Sequence, residues 1–401
     1  MKSSVIPVRR VAVSERAHEQ APPAGTCAIT VRLVTSLAEF AALGIEWNRL
    51  HETAQAASVF NSWTWLYEWW RVYGADQPLR ILVAERGGVK VGLIALYVHE
   101  VRIARLPVRV LRFVGTGGDT SPEDLGPLLE PQCEADAALA LAQAIVEMRD
   151  VDLCVLSDID PASVFPHALE RAAREQHRVR YTSICERIPY IELPASWQAF
   201  LKSLPSKRRS GIRCARAKLM STDRDSRFFV WDDASKLDQA LERLARLHHA
   251  RWEAAGGSDS FTTHEYIEFH RRIMNAFMQR GWLRLYCLEL FGETVAMNYC
   301  YRFRNRIFSM QTGFDPKVAA LSPGNVLLGY AIEHAIGEGN EVFDFLRGDY
   351  MYKKQLANGS RDTVCVRVFS GSARGFLYGL RRIWLPTWKA RLFGTPLYLQ
   401  P

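Results

Sequence analysis

Residues 79–98, LRILVAERGGVKVGLIALYV, read as two apolar β-runs broken by Gly87-Gly88. A Gly-Gly step between such runs marks a tight hairpin, because a two-residue turn needs positive φ at its centre. Residues 283–302, LRLYCLELFGETVAMNYCYR, repeat the pattern. At one constant offset Leu79 meets Leu283, Arg80 meets Arg284, Glu85 meets Glu289, Gly88 meets Gly292 and Val91 meets Val295. Upstream, FNSWTWLYEWW (60–70) aligns with FTTHEYIEFHR (261–271), placing Phe60, Trp65 and Leu66 on Phe261, Tyr266 and Ile267. A helix followed by a hairpin, in the same order twice, predicts an internal duplication.

The surrounding pattern supports two halves. Strands are expected at 28–34, 108–115, 151–159, 305–314, 341–346 and 361–370, and helices over 135–148, 163–176 and 325–339. Helices alternating with strands predict an α/β (α+β) protein with two tandem halves, each a mixed β-sheet flanked by helices. The expected boundaries are a flexible tail at 1–26, a first half at 27–195, a basic helical connector at 196–222 and a second half at 223–401. A last helix, 375–393, should break at Pro386. At 401 residues the chain exceeds one ordinary core, which agrees with this division.

Composition narrows the function classes. A hydrophobic content of 48% with 11% aromatics builds sizeable cores and excludes disorder outside the ends. The net charge of +8 favours an anionic partner such as a nucleotide cofactor, but is too small to assign a nucleic acid. The cysteines at 27, 133, 154, 185, 214, 287, 300 and 365 form no CxxC pair and no zinc spacing, so no metal site is expected. They read as buried thiols of a reducing compartment. No run of 18 apolar residues occurs, and MKSSVIPVRRVAVSERAHEQAPPAG lacks a signal-peptide core, so a cytoplasmic protein without a membrane span is expected.

Chemistry concentrates late in the chain. In QTGFDPKVAALSPGNVLLGYAIEHAIGEG (311–339), Ser322 suits a helix N-cap, Pro323 the first helical position, and Gly324 a close backbone approach. With Gln311 and Asn325, this corner reads either as an anion site suited to pyrophosphate or simply as a well-capped helix. The next strand, in FDFLRGDYMYKK (343–354), ends at the same sheet edge, where open α/β sheets bind ligands. Asp344 could orient or deprotonate an amine, Tyr352 protonate a thiolate, and Lys353 hold a phosphate or carboxylate. Alternatively, Asp344 caps a turn and the lysines are surface charges. In LHHARW (247–252), His248 is a base candidate or a partnered helix-face histidine, with Arg251 and Trp252 on the same surface. Residues 206–219 form a basic helix, either solvated or a contact for an anionic partner.

Phe314, Asp315, Pro316, Leu321, Ser322, Pro323 and Gly324, followed by Asp344, Phe345, Arg347, Gly348, Tyr352 and Lys353, resemble the signature of bacterial CelD-type acetyltransferases. FNSWTWLYEWWRVYG, the DLGP at 124–127, LHHARW and GWLRLYCLELFGETVA fit the same pattern. That family, known from cellulose and exopolysaccharide gene clusters, belongs to the GNAT superfamily and is related to the two-halved Fem-type aminoacyltransferases. The resemblance implies acyl transfer from acyl-CoA, typically acetyl-CoA, to an amine or hydroxyl of a small-molecule or saccharide acceptor. It implies catalytic roles for Asp344, Tyr352, Lys353 and His248. Donor contacts fall to Gln311, Ser322, Pro323, Gly324 and Asn325, and acceptor contacts to Asp315, Arg347, Arg251 and Trp252. The usual GNAT phosphate loop, Q/R-x-x-G-x-G/A, is reduced here to LSPGN. An acyl-carrier protein or an aminoacyl-tRNA therefore remains an alternative donor, and a non-catalytic module in polysaccharide assembly a third reading. The first half, without an SPG corner, is expected to be a degenerate copy that shapes the acceptor cleft.

Overall fold

The computed structural model describes residues 28–120, 122–253, 260–348, 350–386 and 388. The tail expected at 1–26 lies outside them. The described strands are β1 (Ile29–Val34), β2 (Leu79–Arg86), β3 (Val89–Ile103), β4 (Leu106–Phe113), β5 (Leu128–Leu129), β6 (Leu153–Ile159) and β7 (Arg180–Glu192) in the first part of the chain. Then come β8 (Arg227–Val230), β9 (Leu283–Leu290), β10 (Glu293–Phe303), β11 (Arg306–Phe314), β12 (Val342–Asp344) and β13 (Gly359–Phe369). They form one mixed sheet in the order β1-β2-β3-β4-β6-β13-β7-β12-β11-β10-β9-β8, with β5 paired to β3. Helices flank it, so the α/β class and the two-half design both hold.

The duplication is visible in backbone detail. β2-β3-β4 and β9-β10-β11 are matching meanders. The turn centres Gly87–Gly88, Ala104–Arg105, Phe291–Gly292 and Arg304–Asn305 all have positive φ, as two-residue hairpins of this twist require. Helix Trp63–Tyr73 precedes the first meander and His264–Gln279 the second. Their N-caps, Ser62 and Thr263, fall at aligned positions, and each side chain accepts from the N–H three residues on. These helices join the halves through an aromatic seam. Trp65 meets Phe269 edge-on with centroids 4.9 Å apart, and Phe60 and Phe277 both abut Tyr301.

Each meander leads through a helix to a parallel strand: Glu134–Glu147 carries β4 to β6, and Pro323–Gly337 carries β11 to β12. Beyond this point the halves interleave. β7 pairs with β12 at Phe343↔Ile191, and β13 lies between β6 and β7. The last strand, expected within the second half, therefore completes the sheet of the first, where it satisfies the backbone groups of two strands at once. Segment 196–222 forms helices Trp197–Ser203 and Ser206–Thr222. The longer one rests on helix Pro323–Gly337, with Arg216 pairing to Glu333 at 2.7 Å and covering Tyr330. Near the end, helix Ala373–Gly379 passes into a π-helical turn at Leu380–Trp384, and Pro386 is still helical. The expected continuation to 393 lies outside the described residues save Trp388. No described helix is long and apolar enough to cross a membrane.

A buried charge cluster closes the junction of the halves. Arg361, on β13, donates to Asp344 at 2.9 Å and to Asp124, and stands 3.4 Å from Glu123. Arg347 donates to Asp158 at 2.7 Å and to the Pro122 carbonyl, while its backbone N–H donates to Glu123. Arg306 reaches Asp344 at 3.4 Å. Four carboxylates thus face three guanidiniums. Burial, and then the charge of Asp344, pushes the Glu123 carboxyl up to about 8, so at neutral pH a retained proton evens the balance. A folded-state value above the unfolded one means that this stability is fully present below the ordinary carboxylate range and is lost as pH rises through about 8. Urea melts from about pH 5 to about pH 9 should therefore show declining wild-type stability and a flatter curve for Glu123→Gln. Parallel curves would contradict the assignment.

Candidate functional site

β11 and β12 build a cleft by parting. They pair in parallel only from Arg306↔Val342 to Phe308↔Asp344. β11 then runs on to Phe314, while the other strand turns away at Leu346, whose φ is +54°. On its far side β11 carries a bulge at Met310, where the register against β10 jumps from Cys300↔Ser309 to Tyr299↔Gln311. A bulge re-aims the side chains that follow it. Helix Leu237–Glu253 packs hard on this stretch: a Cβ on Gly313 would lie 2.5 Å from the His248 backbone nitrogen, so only glycine fits.

Two cavities open into this cleft. The first, about 330 Å³, lies at the SPG corner and is lined by Asn298, Ser309, Thr312, Phe314, Ser322, Pro323, Gly324, Asn325, Arg251 and Tyr352, among others. Ser322 is left-handed (φ 53°) and makes no side-chain cap bond, and helix Pro323–Gly337 starts directly after it. The first turn of this helix carries no acidic residue, so the positive end of its dipole is uncompensated. Asn298, 1% exposed, accepts from Ser309 at 3.1 Å, but its amide nitrogen has no protein partner. A buried donor left open beside a cavity is a place for a ligand oxygen.

The second cavity, about 440 Å³, is lined by Glu186, Arg251, Trp252, Ser309, Gln311, Thr312, Arg347, Tyr350, Tyr352 and Lys353 with neighbouring backbone. Arg251, Ser309, Thr312 and Tyr352 line both cavities and mark where they meet. Arg251 donates to the Thr312 hydroxyl and carbonyl. Burial pushes the Tyr352 hydroxyl up to about 12, which keeps it protonated at neutral pH. A third, larger groove of about 830 Å³ touches the corner from behind at Ser322 and Asn325. Its rim holds Lys207, Arg208 and Lys354, and its walls include Phe200, Leu204, Ile212, Val326 and Leu356.

Residues 206–354 match the acetyltransferase (GNAT) domain family. The matched stretch includes the parted strands and the SPG corner. The whole chain is similar in fold to FemX, with 12% identity, a TM-score of 0.58, and coverage of 84% of this chain and 98% of that one. A conserved protein of unknown function from Bacteroides thetaiotaomicron VPI-5482 gives 10% identity and a TM-score of 0.55, over 85% of this chain and all of its own (100%). A C-terminal domain (DUF2156) assigned to a lysylphosphatidylglycerol synthetase of Agrobacterium fabrum gives 10% and 0.52, over 86% and 95% of the two chains. At these identities the likeness is one of fold. No curated protein matches the sequence.

The structure redistributes the residues singled out from sequence. Ser322, Pro323, Gly324, Asn325, Arg251, Trp252 and Tyr352 gather around the cleft. Gln311 faces the second cavity, not the SPG corner, and donates to Ser260 and Tyr266. Asp315 caps the turn after β11 by accepting from the Lys317 N–H at 2.9 Å, which leaves it outside both cavities. His248 is buried at 1% exposure, contacts the Thr312 carbonyl at 3.2 Å, and is lowered by burial to about 4. It stays neutral and supports β11 instead of taking protons at neutral pH. The Lys353 ammonium is buried against the carbonyls of Phe345, Leu346 and Arg347, and burial lowers it to about 8. It clamps the turn after β12 and has no reach to spare for a phosphate. Arg347 turns its guanidinium to Asp158.

Asp344 shows the largest departure from expectation. It is wholly buried, its Oδ1 accepts from the Leu346 N–H at 2.8 Å, and its Oδ2 is held by Arg361 and Arg306. A carboxylate so enclosed anchors the fold and is closed to a substrate amine. Glu186, Asn298, Ser309 and Thr312 were missed. For Asn298 the available signal was a polar residue inside the apolar run AMNYCY. Removing one partner of a buried ion pair costs about 3–5 kcal/mol. Asp344→Asn should therefore show a loss of that order in urea unfolding; near-wild-type stability with lost turnover would restore a catalytic role.

Proposed function

We propose that this chain is an acyltransferase that takes its acyl group from acyl-CoA and delivers it to a small-molecule or saccharide acceptor. The observation that carries the proposal is the meeting of two cavities at Tyr352 and Arg251, between parted parallel strands and beside the SPG corner. The thioester would enter the 330 Å³ cavity, its carbonyl near the open amide of Asn298 and its pyrophosphate at the start of helix Pro323–Gly337. The groove of about 830 Å³, with Lys207, Arg208 and Lys354 at its rim, would receive the nucleotide end. The acceptor would come from the 440 Å³ side. Tyr352, protonated and on the boundary, is placed to give its proton to the leaving thiolate. The resemblance to CelD-type enzymes supports a role in exopolysaccharide or envelope synthesis.

One observation favours a second reading. Helix Ser206–Thr222 carries Lys207, Arg208, Arg209, Arg213 and Lys218, the first two lining the donor groove, a basic density that would suit the acceptor stem of a charged tRNA in a Fem-like aminoacyl transfer. Native mass spectrometry with acetyl-CoA, longer acyl-CoAs and tRNA separates the two. The first reading expects a one-to-one acyl-CoA complex; RNA binding that falls steeply with salt, without any acyl-CoA complex, would replace it. Given a donor, Tyr352→Phe should lower kcat by about 100-fold while leaving the donor Kd unchanged in titration. Unchanged kcat would remove Tyr352 from proton transfer.

A further inference from the structure

Residues 363–401 contain no aspartate or glutamate, while Arg367, Arg374, Arg381, Arg382, Lys389 and Arg391 fall within them. After β13 the described part of this stretch is helix Ala373–Gly379 and the π turn Leu380–Trp384, carried on by Leu385, Pro386 and Trp388. Its seat on the sheet is fixed. The Ser372 hydroxyl accepts from the Gly375 N–H at 3.0 Å and donates to Asp152 at 2.7 Å. A Cβ on Gly375 would lie 2.5 Å from the Asp152 carbonyl oxygen, so no space is left under the first turn. The i→i+5 spacing of the π turn then lets Tyr378 and Ile383 both face inward, where they join the buried cluster of Val108, Leu153 and Phe369.

The outward side carries large apolar and basic residues together. Phe376 and Trp388 are each 60% exposed, and Leu385 is 40% exposed. Phe376 abuts Trp384 with centroids 5.2 Å apart, and Trp384 abuts Phe369 at 5.6 Å, so an aromatic patch runs from the core out to the surface. Arg374, Arg381 and Arg382 are exposed, and none of them is in an ion pair with another described residue. Asp152, the acid beneath the helix, is buried and already taken by Ser372 and by the Arg109 N–H. We propose that this face docks the protein onto an anionic lipid bilayer, with Phe376, Leu385 and Trp388 entering the headgroup region and the three arginines meeting lipid phosphates. Aromatic and aliphatic side chains flanked by arginines, on a helix too short to span, are what a bilayer interface holds. A second copy of the chain would set its own arginines against these, at a cost in like-charge repulsion. A nucleic-acid backbone would engage the arginines and leave Phe376 and Leu385 in water. Lys389 and Arg391 add to the positive charge of the stretch. The proposal is independent of the acyl-transfer reading.

The test sediments the full chain with vesicles of phosphatidylcholine alone and of phosphatidylcholine and phosphatidylglycerol at three to one. Wild type should pellet with the mixed vesicles and far less with the neutral ones. Binding should drop sharply in about 1 M salt, where the Debye length is about 3 Å. Replacing Arg374, Arg381 and Arg382 together by Gln should weaken binding to the mixed vesicles by about 100-fold. Phe376→Ser combined with Trp388→Ser should weaken it by about 10-fold. Thermal melts report whether each variant folds, and Trp388→Ser alone carries the test if the others melt early. Equal binding to both kinds of vesicle, or variants that fold and pellet like wild type, overturns the proposal. Binding to poly(U) in place of vesicles, or a dimer in analytical ultracentrifugation that Trp388→Ser dissociates, overturns it too and gives the face to RNA or to a second copy. None of these outcomes touches the acyl-transfer reading, which acyl-CoA binding decides separately.

Discussion

The guanidinium of Arg361 sits between carboxylates from both halves of the chain, and the rest of the architecture depends on that placement. It belongs to β13, which leaves the second half to lie between β6 and β7. From there it binds Asp344 on β12 and Asp124 in the loop of the first half. Charges buried this deeply repay their desolvation only when every partner is in place. The cluster therefore favours one relative position of the halves over any other. Because Asp344 is the last residue of β12, the same ion pair fixes the point at which β12 leaves β11. The cleft opens where the cluster ends.

The two halves share a plan and differ at the start of the helix that joins the meander to its parallel strand. In each, a meander leads through a helix to a parallel strand. In the first half, the helix Glu134–Glu147 begins with Glu134 and Asp136, whose charges occupy the positive end of the dipole and repel a phosphate. The space beside β4 is filled by the buried Val114, Leu125, Leu128 and Leu129, and β5 is hydrogen-bonded to β3. In the second half, the corresponding helix begins with Pro-Gly-Asn and no acid. One copy is filled by packing and the other keeps an open cavity.

Much of this was legible in the sequence, for physical reasons. The hairpins were read correctly because two apolar runs broken by Gly-Gly or Phe-Gly leave little else for the backbone to do. The start of the helix was legible because Pro fixes φ at the first helical position, although the Ser322 side chain makes no cap bond. β7 was overlooked: RYTSICERIPYIE mixes charged and apolar residues without clean alternation, because both of its neighbours come from distant parts of the chain. The burial of Asp344 was equally hidden. Its partner Arg361 and their common neighbour Asp124 are local in space and remote in sequence, so no spacing rule connects them. Lys353 looked like a phosphate ligand because sequence shows a charge but not the three carbonyls that enclose it.

The interleaving makes the first half part of the surroundings of the cleft. β7 borders β12 on the side away from β11, and its mid-strand Glu186 lines the second cavity. An isolated second half would hold the SPG corner, Tyr352 and Arg251, yet its β12 would be an open edge and the second cavity would lack a wall. The first half closes that edge with backbone hydrogen bonds, neutralises Arg347 through Asp158, and adds Glu186 to the lining of the second cavity. These contributions require β7 and β13 to be in register with β12, because a slip of one residue would turn Glu186 to the other face of the sheet. Pairing Tyr190 with both Asp344 and Gly359 locks that register at the mouth of the cleft. The same strands that make the halves inseparable thus also wall the cleft.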